Sequence, residues 1–389
     1  MRATALVAVS AIFVVSGFSR SRACRSTNLR AKFRDVADRP LDVAVVGAGV
    51  IGLAIARELS RRGASVAVFE RDGVGAGASG LQPGGVRQQW GTRIACRLAR
   101  ESAAFYSQAD KQFDSPVPLG FRRCGYLFLA HSEETLARLT ANVAVQNGEG
   151  IPSRIVSPDE AAELVPGLAV ETVVGGAWCA EDGYFDRPQG VVEAFARGVD
   201  VRIREVRSLD ELAADRVVVA AGADTPALLP QLPIEPEERY LFYSEPLQER
   251  LLEPLVVSAE RRFAAKQLFD GRVLASDLGA RGDDTQREQW RANVRAQIED
   301  LLPRLTYVSF ALLVRGEYDV TPDHQPILGQ VGDGVYVAAG FSGHGFMIAP
   351  AVARILADAI LDGRRDETLG VLDVARFAEN RSVPEPQLV

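Results

Sequence analysis

Lysine is nearly missing from this chain: Lys32, Lys111 and Lys266 are the only three among 44 basic residues in 389. The arginine excess is a compositional bias of the source genome rather than a basic patch. Histidine is as scarce, with His131, His324 and His344 at no metal-ligand spacing. The four cysteines (Cys24, Cys96, Cys124, Cys179) lie far apart without a CxxC pair, which excludes a disulfide scaffold or a zinc site. No metal site is expected. No apolar run reaches the ~20 residues of a membrane span, and no repeat or low-complexity segment appears in the body. Neither a Ser/His/Asp set nor a carboxylate pair points to hydrolysis.

The formal charge is −7, yet residues 1–34 hold seven Lys/Arg and no acid, so the rest stands near −14. Such a body has no electrostatic basis for binding nucleic acid or anionic lipid. Residues 4–15 form a short apolar core after Arg2, suited to a secretory signal. The Arg/Ser-rich, acid-free FSRSRACRSTNLRAKFR that follows has transit-peptide composition. Residues 1–38 therefore read as a targeting leader, and the expected location is an organelle. The two-part form, with Phe18 opening the second part, suits a plastid; a mitochondrion is the alternative.

What the chain does contain is a spaced glycine motif. LDVAVVGAGVIGLAIARELSRRGASVAVFE (residues 41–70) reads as strand, turn, helix, strand and acid. The run at 43–46 suits a parallel strand buried on both faces. Gly47 permits the tight turn, Gly49 lets backbone approach a pyrophosphate, and Gly52 lets the helix pack on the strand. Val50 and Ile51 open a helix whose N–H groups face the phosphates. Glu70, 18 residues past Gly52, is placed for a ribose 2′-OH, with Arg71 beside it. By itself this segment predicts a dinucleotide without separating FAD from NAD.

Four further segments carry a family resemblance: GVGAGASGLQPGGVRQQWG (73–91), RVVVAAGADTPAL (216–228), TPDHQPILG (321–329) and GFSGHGF (340–346). With Glu70 they make the chain resemble the D-amino-acid-oxidase-like FAD oxidoreductases over about residues 41–365, nearest the sarcosine and dimethylglycine oxidase or dehydrogenase branch. The resemblance implies FAD as cofactor. Ser79 and Gly80 would lie along the pyrophosphate; Gly84, Gly85 and Arg87 would run past the flavin; Ala221 and Gly222 would form a third contact. Gly340, Gly343, His344, Gly345, Phe346 and Met347 would turn a helix N-terminus toward the ring. Sarcosine oxidases tether FAD through a cysteine two residues before the equivalent of Tyr318. Gly316 stands there, so FAD is expected to be non-covalent.

The resemblance further implies oxidation of a CH–NH bond by hydride transfer to flavin N5, with O2 or another acceptor closing the cycle. Glycine-oxidase-like members carry a carboxylate-binding arginine where this chain has Tyr318, and related oxidases often have lysine where it has Met347. Losing such an arginine should weaken simple amino acids by about 10- to 150-fold, so a small N-substituted amino acid is the expected substrate. Tyr318, His344, Arg87, Arg315 and Lys266 are the candidate catalytic residues, with Arg262 a further partner for a carboxylate. The alternatives are a 2-hydroxy-acid oxidoreductase of the same fold and a flavin-binding assembly factor for a respiratory complex.

The expected fold class is α/β: a discontinuous Rossmann-type FAD-binding domain (41–120, 150–235, 318–376) with a mixed-sheet α+β substrate domain (121–149, 236–317). The residues predict a long helix over 92–113, a turn at 181–186, strands from 239 to 314 interrupted by a helix near 285–302, and no hairpin insert between 204 and 214.

Overall fold

Valine-rich strands from the start, middle and end of the chain meet in one sheet. The computed structural model describes residues 41–282 and 284–386, so the leader at 1–38 lies outside the described residues. The sheet has six strands in the order Ile327–Gly332, Val335–Ala339, Ala214–Val219, Leu41–Val46, Val66–Glu70 and Asp200–Ile203. All neighbours are parallel except the first pair. Val43, Ala44 and Val45 are fully buried, as a strand covered on both faces requires.

Helix Val50–Arg61 follows the first strand and buries Val50, Ile51, Leu53, Ala54, Ile55 and Leu59. It shares a core with helix Gly345–Asp362 and helix Arg93–Tyr106. Pro350 lies inside the 345–362 helix and has no N–H to give the carbonyl four residues back. That carbonyl belongs to Phe346, and the Tyr106 hydroxyl donates to it at 2.7 Å. One residue on, the Ala351 N–H donates to Ser102 Oγ at 3.2 Å. The neighbouring helix thus supplies groups that the proline displaces.

The second sheet has eight strands, ordered Phe310–Val320, Glu235–Ser244, Val273–Asp277, Phe263–Gln267, Leu255–Ser258, Tyr126–Ala130, Gly175–Cys179 and Arg154–Val156. One pair is parallel (Leu255–Ser258 with Tyr126–Ala130), so the sheet is mixed. Helix Arg287–Leu301 packs against it through Trp290, Val294 and Ile298. A small sheet of Gly85–Val86, Gly183–Phe185 and Phe121–Arg123 sits beside them.

Three expectations need correction. Residues 150–187 do not go with the six-stranded sheet: Arg154–Val156 and Gly175–Cys179 are strands of the eight-stranded sheet, because Val156 and the segment 161–173 fill the same core as Tyr240 and Phe242. The helix predicted over 92–113 breaks at Ser107–Gln108 and resumes at Ala109–Gln112, which lets Phe113 pack edge-on against Phe105 and Phe195. The turn at 181–186 contains the strand Gly183–Phe185. The described residues fall in one compact unit, with the two sheets interlocked. No described helix is long and apolar enough to cross a membrane.

Candidate active site

The glycine turn is built by close approach. Gly47 has φ +106°, and a Cβ there would strike the Ala220 carbonyl, so no other residue fits between the first strand and the end of the 214–219 strand. A Cβ at Gly52 would strike the Gly47 carbonyl, locking helix onto turn. The Val50 N–H donates to Ser79 Oγ at 3.0 Å, which brings the 73–82 segment onto the helix N-terminus. Glu70 braces the turn from the other side, accepting from the Ala48 N–H and the Asp72 N–H, both at 2.8 Å. Arg71 is tied to Asp72 at 3.0 Å and Asp224 at 3.2 Å.

These residues line a cleft of about 300 Å³ that includes Gly47, Gly49, Val50, Ile51, Glu70, Ser79, Ala221, Gly222, Gly343, Gly345 and Phe346. A cavity of about 280 Å³ continues it past Glu70 and Arg71 toward Arg204 and Arg207. At the other end lies a larger cavity of about 510 Å³, between the two sheets. Tyr318, Gly343 and Phe346 border both the cleft and this cavity. Gly343 has φ +87°, and any side chain there would run into the Tyr318 ring.

Arg87, Lys266, Tyr318, His344, Gly85 and Met347 all line the large cavity. Arg87 is 1% exposed, stacks 3.8 Å from the Trp90 ring and donates to the Gln89 carbonyl at 3.2 Å. Burial draws its pKa down, while Tyr126, Glu385 and Asp182 counter that electrostatically. Lys266 is fully buried, donates to the Pro83 carbonyl and sits 3.8 Å from the Tyr184 ring. Desolvation lowers its pKa to about 7. His344 precedes helix Gly345–Asp362, with its ring edge-on to Trp90 at 4.4 Å. Burial holds its pKa well below the usual histidine range, so the ring is neutral. Its Nε2 is buried without a hydrogen-bond partner among the described residues.

Arg315 does not join this group. Strand alternation turns Val314, Gly316, Tyr318 and Val320 to the cavity. Arg315 projects to solvent, paired with Glu238 at 3.1 Å and Glu317 at 3.6 Å. Gly80, Gly84 and Gly340 stand outside the cavities, each against a neighbour that leaves no room for a side chain.

Several lining or supporting residues gave no sequence signal. Arg239 faces the Tyr318 ring at 5.2 Å. Asp182 is fully buried, accepts from the Gln88 N–H at 2.9 Å and Gln89 Nε2 at 3.0 Å, and is pushed up to about 6 by burial. Glu385, from the chain's last residues, accepts from the Gly91 N–H at 2.7 Å and the Thr92 hydroxyl at 2.8 Å. Its own N–H donates to the Asp323 carbonyl at 3.1 Å, and Asp323 is in turn clamped by buried Arg376 at 2.8 Å. Only strand alternation around Arg239 could have signalled any of them.

The donor set fits a flavin dinucleotide. Three connected cavities offer a bracing acid at one end, a glycine cradle in the middle, and a partnerless buried imidazole nitrogen beside a helix N-terminus at the other. The model of the FAD dependent oxidoreductase (DAO) family matches residues 42–359. The chain belongs to that family. FAD is its cofactor, and family members of this kind are oxidoreductases. It is 29% identical to the Bos taurus "FAD-dependent oxidoreductase domain-containing protein 1", over 83% of this chain and 81% of that protein. It is 24% identical to a 4-methylaminobutanoate oxidase (formaldehyde-forming) of Paenarthrobacter nicotinovorans, over 87% of this chain but 46% of that longer protein. The solved L-proline dehydrogenase from P. horikoshii superposes with a TM-score of 0.82 at 26% identity, over 88% of this chain and 99% of that one. Among the described residues no group of three His, Cys, Asp or Glu is placed to hold a metal.

Proposed function

We propose that the chain oxidises the CH–NH bond of a small, N-substituted amino acid, giving an imine that hydrolyses to a carbonyl compound and an amine. The observation that carries this reading is the continuity of the dinucleotide cleft with the large cavity at Tyr318, Gly343 and Phe346. A cofactor in one and a substrate in the other would meet there. FAD, when bound, supplies the acceptor for the hydride leaving the substrate carbon, and O2 or another acceptor takes the electrons onward.

Gly47, Gly49, Val50, Ile51, Glu70, Arg71, Ser79, Ala221, Gly222, Gly343 and Gly345 would hold the dinucleotide, with Gly52 packing the helix beneath it. Neutral His344, through Nε2, would hydrogen-bond at the ring end, beside Phe346 and Met347. The hold is non-covalent in this reading: no described cysteine lines the cavities, and burial raises the Cys96 and Cys179 thiols to about 12. Arg87, and Lys266 in its protonated form, would attract the substrate carboxylate, and their charge would lower the amine pKa so that the lone pair is free. Tyr318, with apolar Leu255 and Leu274 on the walls, suits an N-alkyl group better than an arginine would. The relative named for 4-methylaminobutanoate supports an N-methyl amine. We assign the six-stranded sheet to FAD and the eight-stranded sheet to substrate, and infer organellar import through the leader, to a plastid or a mitochondrion.

The test is anaerobic bleaching of the flavin near ~450 nm by sarcosine, dimethylglycine, glycine, proline and lactate in turn. Fast bleaching by an N-methyl amino acid is expected. Bleaching by lactate alone would move the activity to hydroxy acids. A flavin that none of them reduces, in a protein that retains a stable protein partner, would favour an assembly role.

A further inference from the structure

Arg262 differs from the other cations on the large cavity in three ways. It sits at φ +53°, the left-handed region that a bulky side chain rarely adopts. Its guanidinium makes no hydrogen bond or ion pair with a described residue, whereas Arg239 and Arg281, also on the cavity, are both held by Glu237 at 2.6 and 2.5 Å. Its side chain lies across Gly279, where a Cβ would come within 2.8 Å of Nη1. A glycine thus leaves room for the guanidinium, and the backbone is held in a costly conformation while the charge stays unmatched. Strain of this kind collects where a ligand is held.

We propose that Arg262 anchors a second carboxylate of the substrate at the cavity mouth. This rests on reading the large cavity as the substrate site and narrows the substrate to N-substituted amino acids with two acid groups. Arg87 and Lys266 take the carboxylate nearest the reacting carbon. Arg262, on the exposed rim, takes the distal one, and the apolar wall of Leu255, Leu274 and Leu278 receives the methylenes between them. At about 510 Å³ the cavity has room for such a spacer. Among the described residues its lining sets five cations against the carboxylate of Glu317.

The test titrates the flavin-loaded protein with unreactive acids and follows the perturbation of the flavin spectrum, so turnover is not needed. Glutarate and adipate should bind about 10-fold more tightly than acetate and propionate. Arg262→Gln should remove that preference, and Arg262→Lys should restore part of it. Arg262→Gly should remove it too while raising the thermal midpoint, because glycine accepts φ +53° without strain. Equal binding of mono- and dicarboxylates, or a preference that survives Arg262→Gln, overturns the anchor alone. If no acid perturbs the flavin, the substrate reading falls with it.

Discussion

Lys266 carries the sharpest pH prediction. Its pKa in the fold is lowered to about 7 by desolvation, against about 10.4 in an unfolded chain. Between those values the unfolded chain binds more protons than the folded one, so stability rises with pH across that window. Lys266→Met removes this contribution. The stability of wild type relative to the variant should therefore increase from pH ~7 to pH ~10, measured by urea denaturation at both ends. Parallel behaviour of the two proteins would mean that Lys266 keeps its proton in the fold. A sequence can offer Lys266 as a cation but not its depth of burial, which depends on strands far away in the chain. Asp182 was illegible for the same reason, and Arg315 was misread because its outward direction depends on strand register.

A comparable test at the scale of elements concerns helix Gly345–Asp362, whose N-terminus borders the cleft. Tyr106→Phe leaves the Phe346 carbonyl without its hydroxyl donor at the proline break. The expected cost is about 1–3 kcal/mol, read as a lower denaturation midpoint. An unchanged midpoint would mean that water replaces the hydroxyl. The glycine turn separates two further outcomes. Gly49→Ala meets only Ser79 Oγ at 3.1 Å, so it should fold normally yet hold FAD at least about 10-fold more weakly, by equilibrium dialysis. Gly47→Ala collides with backbone and should fold poorly. The βαβ unit was legible because its strand runs, glycine spacing and acid are local. The break at Ser107–Gln108 was not, since distant Phe195 contributes to it.

For the whole molecule, the last described residues matter as much as the first. Glu385 and its neighbours tie the TPD turn to the segment that carries Arg87 and Trp90. Truncation after residue 382 should lower the thermal midpoint and loosen Arg87. Flavin-perturbation titration with acetate would show the latter as weaker binding. A truncated protein with wild-type midpoint and affinity would make the tail dispensable. Nothing near RSVPEPQLV signals this, because its partners lie 293 and 294 residues earlier. The family and its discontinuous nucleotide sheet were readable from widely spaced motifs, whereas the inner domain boundary was set by strand pairing that no motif marks.

The six-stranded sheet also orders events during synthesis. Its central strand emerges first from the ribosome, but Val335–Ala339 and the Gly343–Gly345 turn emerge among the last. A chain that stops short of Val335 has Ala220 and Ser79 against the glycine turn but lacks the side of the cleft formed by Gly343 and Gly345. The cleft is therefore complete only once the segment from Val335 to Gly345 has joined the strands that precede it.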